Sequence, residues 1–148
     1  MSVHANAQHD GLRIAVVGAT GAVGREIVKC LERRSFPVRT LKLLASARSV
    51  GTTVDFKGRP QPVQELTHDA LRGLDLVLFA ASNRVSLEFA PTAVREGAIV
   101  IDNSSAYRMK DDVPLVIPEN NRAAIRTHKG IIANPNCSAI ISITPLWP

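Results

Sequence analysis

Two cysteines, Cys30 and Cys137, are all that the 148 residues contain, too few for a disulfide framework. A reducing, cytoplasmic setting is the default for such a chain. Aromatic residues make up only 4%. A nucleic-acid surface needs clustered Lys and Arg interleaved with aromatics, so that class is excluded. No apolar run reaches the length of a membrane span, since the stretch 74–81 is far too short. No metal site is expected. The opening residues, MSVHANAQHDG, lack the apolar core of a signal peptide, and 1–11 is expected to be a disordered leader. Carboxylates are in the minority, 13 against 18 Lys and Arg, which leaves a net charge of +5. The basic residues are scattered, with Arg25, Arg48, Arg84 and Arg108 mostly beside Gly- or Ser-containing loops. Two explanations stand side by side: pockets for phosphorylated small molecules, or the basic remnant of a protein whose acidic partner half is absent.

What is present is ordinary for a globular domain: 45% hydrophobic and 21% charged residues, in a chain long enough to bury a core. Residues 12–17 form a short β-prone run ending at Gly18, followed by a helical pattern with Val23, Ile27, Cys30 and Leu31 on one stripe. Cys30 is therefore expected in the core. Strands are expected at 38–45, 75–81, 98–101 and 130–133. An edge hairpin is expected from 52–56 and 61–63 around Lys57-Gly58-Arg59-Pro60. Short helices are expected at 67–71, with Thr67 as N-cap, and around 121–126. A longer one is expected at 86–96, where Pro91 should break the helix or begin a second segment. Strands alternating with helices imply an α/β fold, a doubly wound, mostly parallel, Rossmann-like sheet.

Gly18-Ala19-Thr20-Gly21-Ala22-Val23-Gly24 lies between the first strand and the first helix. In a doubly wound fold this turn binds a dinucleotide: Gly18, Gly21 and Gly24 allow a tight turn and close backbone approach to pyrophosphate, and the helix N-terminus supplies amide donors. An NAD site wants an Asp or Glu about 20 residues on for the ribose 2′-hydroxyl. The corresponding segment, Leu44-Ala45-Ser46-Ala47-Arg48-Ser49, has an arginine and no carboxylate. A guanidinium fork beside serines suits a 2′-phosphate, which favours NADP. The competing reading of Arg48 is a solvated loop residue.

Asn134-Pro135-Asn136-Cys137-Ser138 precedes an apolar run, Ala139-Ile140-Ile141. A thiol there stands at the first turn of a helix, where the helix dipole favours thiolate, the nucleophilic form. The alternatives are a small buried hydrophobe or an inert thiol. Asp102-Asn103-Ser104-Ser105-Ala106-Tyr107-Arg108 follows another strand and offers small polar groups and a guanidinium where a phosphate could sit.

From residue 12 onward the chain resembles the bacterial and plant type of aspartate-semialdehyde dehydrogenase. The resemblance runs through the glycine turn, Ala45-Ser46-Ala47-Arg48-Ser49, Phe89-Ala90-Pro91, residues 101–108, Asp112-Val113-Pro114-Leu115-Val116 with Pro118-Glu119, and Asn134-Pro135-Asn136-Cys137-Ser138. N-acetyl-glutamyl-phosphate reductase, the alternative, shares the architecture and chemistry but typically reads His-Pro-Gly-Cys at the cysteine. A stand-alone NADP-binding or regulatory module without catalysis is the rival from another class.

The resemblance implies reduction of β-aspartyl phosphate by NADPH to aspartate semialdehyde and phosphate, through a thioester on Cys137. This step serves diaminopimelate, lysine, methionine and threonine biosynthesis. By the same resemblance Arg108 binds the substrate phosphate, and Asn136 positions substrate or stabilises an oxyanion. Gly18, Thr20, Gly21, Ala22, Val23, Gly24, Arg48, Ser49 and Ser82 hold NADP. The implied partners are the acyl phosphate, the semialdehyde and phosphate, and the full-length enzyme is implied to be a homodimer or homotetramer. Ser82-Asn83-Arg84 stands where many members read Gly-Gly-Ser, with side chains that would crowd the cofactor and an arginine able to reach a phosphate. The expected division is a leader at 1–11, a dinucleotide-binding domain at 12–136, and the truncated start of a catalytic domain at 137–148. The family's general-base histidine and substrate-carboxylate arginine belong to a second half. His4, His9, His68 and His128 do not match that histidine, and the last two read as surface residues. On its own the chain is expected to bind NADP weakly and not to turn over substrate.

Overall fold

The computed structural model describes residues 11–146. Apart from Gly11, the expected leader lies outside the described residues, as do His4 and His9. The sheet has seven strands: β1 (Leu12–Val17), β2 (Val38–Ala45), β3 (Thr53–Phe56), β4 (Arg59–Glu65), β5 (Leu76–Phe79), β6 (Ile99–Asp102) and β7 (Ile131–Ala133). Their order across the sheet is β3-β4-β2-β1-β5-β6-β7. Every pairing is parallel except β3 with β4. The chain steps from β1 to β2 on one side, then crosses to β5 on the other. The topological switch therefore falls at the carboxyl end of β1, where such sheets bind ligands.

β1 is the central strand, and Ile14, Ala15, Val16 and Val17 are at most 1% exposed. Because side chains alternate across a strand, these residues feed two cores. Ile14 and Val16 pack with Val28, Leu31, Leu43 and Val63. Ala15 and Val17 pack on the opposite face with Val77, Phe79, Ala90, Ala93 and Val100. The first core lies under helix α1 (Ala22–Arg33) and the second under helix α2 (Asn83–Arg95). A sheet buried on both faces by apolar strands and covered by helices is the expected α/β architecture.

Three expectations are corrected. Cys30 is exposed. The buried positions of α1 are Gly24, Val28 and Leu31, so the helix is rotated away from the Val23–Ile27–Cys30 stripe, and Val23 is 55% exposed. Gly24 dictates that rotation. A Cβ there would lie 2.2 Å from the Gly18 carbonyl oxygen, so the bare glycine face is the one turned to the turn and sheet. Second, α2 runs unbroken through Pro91. Proline removes one N–H and its ring faces the carbonyl four residues back; here that residue is Leu87, on the exposed side of the helix. Third, the hairpin turn is Lys57-Gly58 alone, both with positive φ (52° and 71°), while Arg59 and Pro60 already pair with β3. A two-residue turn with both central residues left-handed matches the twist of its strands.

Helix α3 (Pro118–Asn121) continues as a 3-10 turn over Arg122–Thr127, and helix α4 (Cys137–Leu146) follows β7. The segment at 67–71 is a single 3-10 turn (Asp69–Leu71), with Thr67 Oγ1 accepting from the Ala70 N–H at 3.1 Å.

Candidate active site

Parallel strands end on one side, so the carboxyl ends of β1, β2, β5, β6 and β7 form a single edge carrying two neighbouring features. The first is a cleft of about 510 Å³. Gly18, Thr20 and Gly21 form one wall, Ser46 and Ser49 a second, and Ala81 and Arg84 a third. Gly18 has φ 81°, and a Cβ there would lie 2.3 Å from the Ala80 carbonyl oxygen, so the turn touches the end of β5 backbone to backbone. Its N–H donates to the Leu44 carbonyl at 2.8 Å, which ties it to β2 as well. Gly21 caps α1 without a side chain, and no acidic residue sits in the first turn. The first amides of α1 are thus left for an anion, the arrangement that binds a pyrophosphate. Thr20 Oγ1 lies 3.4 Å from Ser49 Oγ, joining two of the walls.

Gly18, Thr20, Gly21 and Ser49 line this cleft. Gly24 is buried beneath it against Gly18, and Ala22 and Val23 form the exposed first turn of α1. Arg48 is exposed on the 3-10 turn Ala47–Ser49 at the rim, outside the cleft lining. Ser82 serves as N-cap of α2, its Oγ accepting from the Val85 N–H at 3.4 Å. Arg84 enters from the opposite wall. Among the described residues neither Arg48 nor Arg84 makes an ion pair, which leaves both guanidiniums available to phosphate. Glu65, Leu66, Glu88 and Phe89 also line the cleft and were not foreseen. The missed signal was topological. β4 pairs in parallel with β2, with Ala45 opposite Glu65, so the end of the hairpin arrives beside the end of β2.

The second feature is the shelf carrying Cys137, which is exposed at the first position of α4. Asn136 caps that helix: its Oδ1 accepts from the Ser138 N–H at 2.8 Å and its carbonyl from the Ile140 N–H at 3.0 Å. The Asn136 amide nitrogen has no partner among the described residues. Arg108 is half-buried, and its Nε donates to the Asn134 carbonyl at 3.0 Å and its Nη2 to the Asn103 carbonyl at 2.9 Å. The guanidinium is thereby fixed at the root of the cysteine turn, with the rest of its fork free.

Asp102 ends β6 and is fully buried, accepting from Ser86 Oγ at 2.7 Å, Ser104 Oγ at 2.6 Å and the Ser104 N–H at 3.2 Å. Tyr107 donates to the Ser86 carbonyl at 3.3 Å, and its phenol is held above the usual range by burial and then by Asp102. The two remaining histidines are engaged elsewhere. His68 is exposed, pairs with Thr92 at 2.9 Å and stacks near Phe89. His128 is half-buried, where a surface position was expected, because its Nδ1 accepts from the Gly130 N–H at 3.0 Å.

A glycine turn between the first strand and helix, opening onto a cleft at the switch point of a parallel sheet, defines a dinucleotide-binding α/β domain. The sequence profile for the semialdehyde dehydrogenase NAD-binding domain matches residues 13–128. The chain belongs to that family. It is 54% identical over 138 residues to aspartate-semialdehyde dehydrogenase of Bacillus subtilis, covering 93% of this chain and 40% of that protein. It is similar to the crystal structure of aspartate semialdehyde dehydrogenase II complexed with ASA from Vibrio cholerae, with TM-score 0.84 and 42% identity. That match covers 93% of this chain and 46% of the other. The aspartate semialdehyde dehydrogenase with NADP from Candida albicans aligns with TM-score 0.74 and 25% identity, over 92% of this chain and 46% of that one. The chain thus spans about 40% of the length of the curated relatives it matches.

Proposed function

We propose that the chain supplies the NADP-binding and nucleophile-bearing part of an aspartate-semialdehyde dehydrogenase. The observation that carries this reading is the juxtaposition on one sheet edge of the glycine-turn cleft and Cys137 at the start of α4. What supports a cofactor here is that the first amides of α1 lack a side-chain cap and open on the cleft, while Gly18 and Gly24 let the turn pack directly on the end of β5 and the start of α1. Arg48, with Ser46 and Ser49 beside it, is the group suited to a 2′-phosphate, and Arg84 is suited to phosphate from the facing wall. Gly18, Thr20, Gly21, Ala22, Val23 and Gly24 form the pyrophosphate cradle, and Ser82 orders the start of α2 beside it.

In the proposed reaction Cys137 Sγ attacks the acyl carbon of β-aspartyl phosphate, the acyl–oxygen bond breaks, and phosphate departs with the electron pair. Arg108 binds the phosphate, and the free Asn136 amide donates to the oxyanion that forms on the carbonyl. When bound, NADPH would supply a hydride to the thioester carbon; the C–S bond then breaks, the semialdehyde leaves, and Cys137 is returned as thiolate. Splitting acyl transfer from reduction is what the covalent step accomplishes. The acyl phosphate, the semialdehyde and phosphate are then the small-molecule partners. Both cysteines are free and exposed, which accords with a reducing, cytoplasmic setting.

Two measurements on this chain test the reading. Thermal melting should rise with NADP by more than with NAD, and Arg48→Ala should weaken NADP about tenfold while leaving NAD unchanged. Iodoacetamide should modify Cys137 several-fold faster than Cys30 in the same folded molecule. Equal rates at the two exposed thiols, with NADP still bound, would instead mark a cofactor-binding module without chemistry.

A further inference from the structure

The loop between β6 and α3 is laced to the strands on either side of it through one residue. The Asn103 N–H donates to the Phe79 carbonyl at 3.0 Å, and its side-chain Nδ2 donates to the same oxygen at 2.8 Å. On the other side Asn103 Oδ1 accepts from Asn134 Nδ2 at 2.7 Å. Its carbonyl accepts from Arg108, whose Nε also reaches the Asn134 carbonyl. Asn103 thus joins the end of β5, the end of β6 and the first residue of the cysteine turn. The Asn103 carboxamide, with a donor and an acceptor on one short planar group, serves both neighbours at once.

We propose that Asn103 is a positioning residue for Cys137, acting through Asn134. The inference rests on the reading of Cys137 as the nucleophile. The Asn103–Asn134 bond fixes the beginning of Asn134-Pro135-Asn136, and Pro135 is buried and restricted in φ. Asn136 then caps α4 and presents the sulfur. Without Asn103 the turn is held on this side by the Asn134 N–H to the Asp102 carbonyl and by Arg108, which anchor its backbone and leave the Asn134 side chain unpaired. A second lacing, Asn83 to Ser105 at 2.8 Å, runs from the first turn of α2 to the same loop. Asn103 therefore ties the end of β5, whose following residues Ala80 and Ala81 line the cleft, to the cysteine turn.

The test compares iodoacetamide modification of Cys137 and Cys30, read peptide by peptide, in the wild-type chain and in Asn103→Ala, Asn134→Ala and the double variant. Cys30 is an internal reference on α1, so loss of global stability moves both thiols together, whereas a positioning effect moves one. The Cys137-to-Cys30 rate ratio should fall about fivefold in each single variant, the size expected when a partly buried hydrogen bond is removed. The double variant should fall little further, because both changes break the same bond. Should Asn103→Ala fail to fold, Asn134→Ala carries the comparison alone. A wild-type ratio near unity defeats the nucleophile reading itself. A wild-type ratio well above unity that stays unchanged in folded variants overturns the positioning role alone.

Discussion

Gly24 governs the glycine turn more than the exposed glycine does. An alanine at 24 would gain roughly 1 kcal/mol of helix propensity. Its Cβ, however, would lie 2.2 Å from Gly18 O and 2.8 Å from Ala19 Cα, both backbone atoms that cannot swing aside. Gly24→Ala is therefore expected to lose about 1–3 kcal/mol in urea denaturation and to abolish the NADP-dependent rise in melting temperature. Gly21→Ala is the control: its Cβ meets only Gly18 O, at 3.4 Å, and stability should change little. The same residue explains what was legible in the sequence and what was not. Glycine spacing located the turn and its ligand chemistry. The side of α1 that faces the sheet was misread, because apolar spacing gives Val23, Ile27 and Cys30 the same weight as Val28, and steric exclusion at Gly24 is invisible to periodicity. Arg108 was legible as a guanidinium in a polar loop after a strand. Its carbonyl partners depend on how β6 and β7 align, which no local pattern contains.

At the level of elements, strands were the easiest to read. β1 and β2 match their expected bounds: β1 is a largely buried apolar run ended by Gly18, while β2 is mixed in composition and buried only over its last three residues. Helix α2 was harder. Its first turn, Asn83 to Val85, is polar and resembles a loop until Ser82 is seen capping it. Pro91 looks like a breaker unless the residue four back is known to lie on the exposed side of the helix. What holds α2 to β6 is polar: fully buried Ser86 donates to fully buried Asp102. Ser86→Ala would leave that carboxylate one donor short where no water can replace it. The expected cost is about 1–3 kcal/mol in chemical denaturation, with NADP binding weakened in step because α2 carries Arg84. An unchanged denaturation midpoint would show the Ser104 contacts to be sufficient.

One cross-sheet contact should contribute to the behaviour of the whole molecule in acid. Arg13 of β1 grips Asp75, just before β5, through Nη2 at 2.7 Å and Nε at 3.1 Å, and its backbone N–H adds a bond at 2.7 Å. The Arg13 side-chain hydrogen bonds hold the Asp75 carboxyl below its usual range. A carboxylate depressed in the folded state contributes stability that is present above its unfolded pKa and is lost as pH falls through the folded one. Asp75→Asn should therefore be less stable than wild type at neutral pH, the two converging as the pH drops below the ordinary carboxylate range. A constant gap across that range would assign the loss to hydrogen bonding instead of charge.

Sharing one edge, cleft and cysteine shelf also share a frame of reference, and β7 shows how far that frame extends. Although β7 is the last strand in the sheet order, the chain around Ala133 is bonded on both sides. The Asn134 N–H reaches inward to Asp102, while the Ala133 N–H and carbonyl reach outward to Pro114 and Val116. The loop after β6 thus works as a clasp on the sheet margin. The outer side of β7 at Ala133 is thereby occupied, so a further strand could pair there only by displacing this loop.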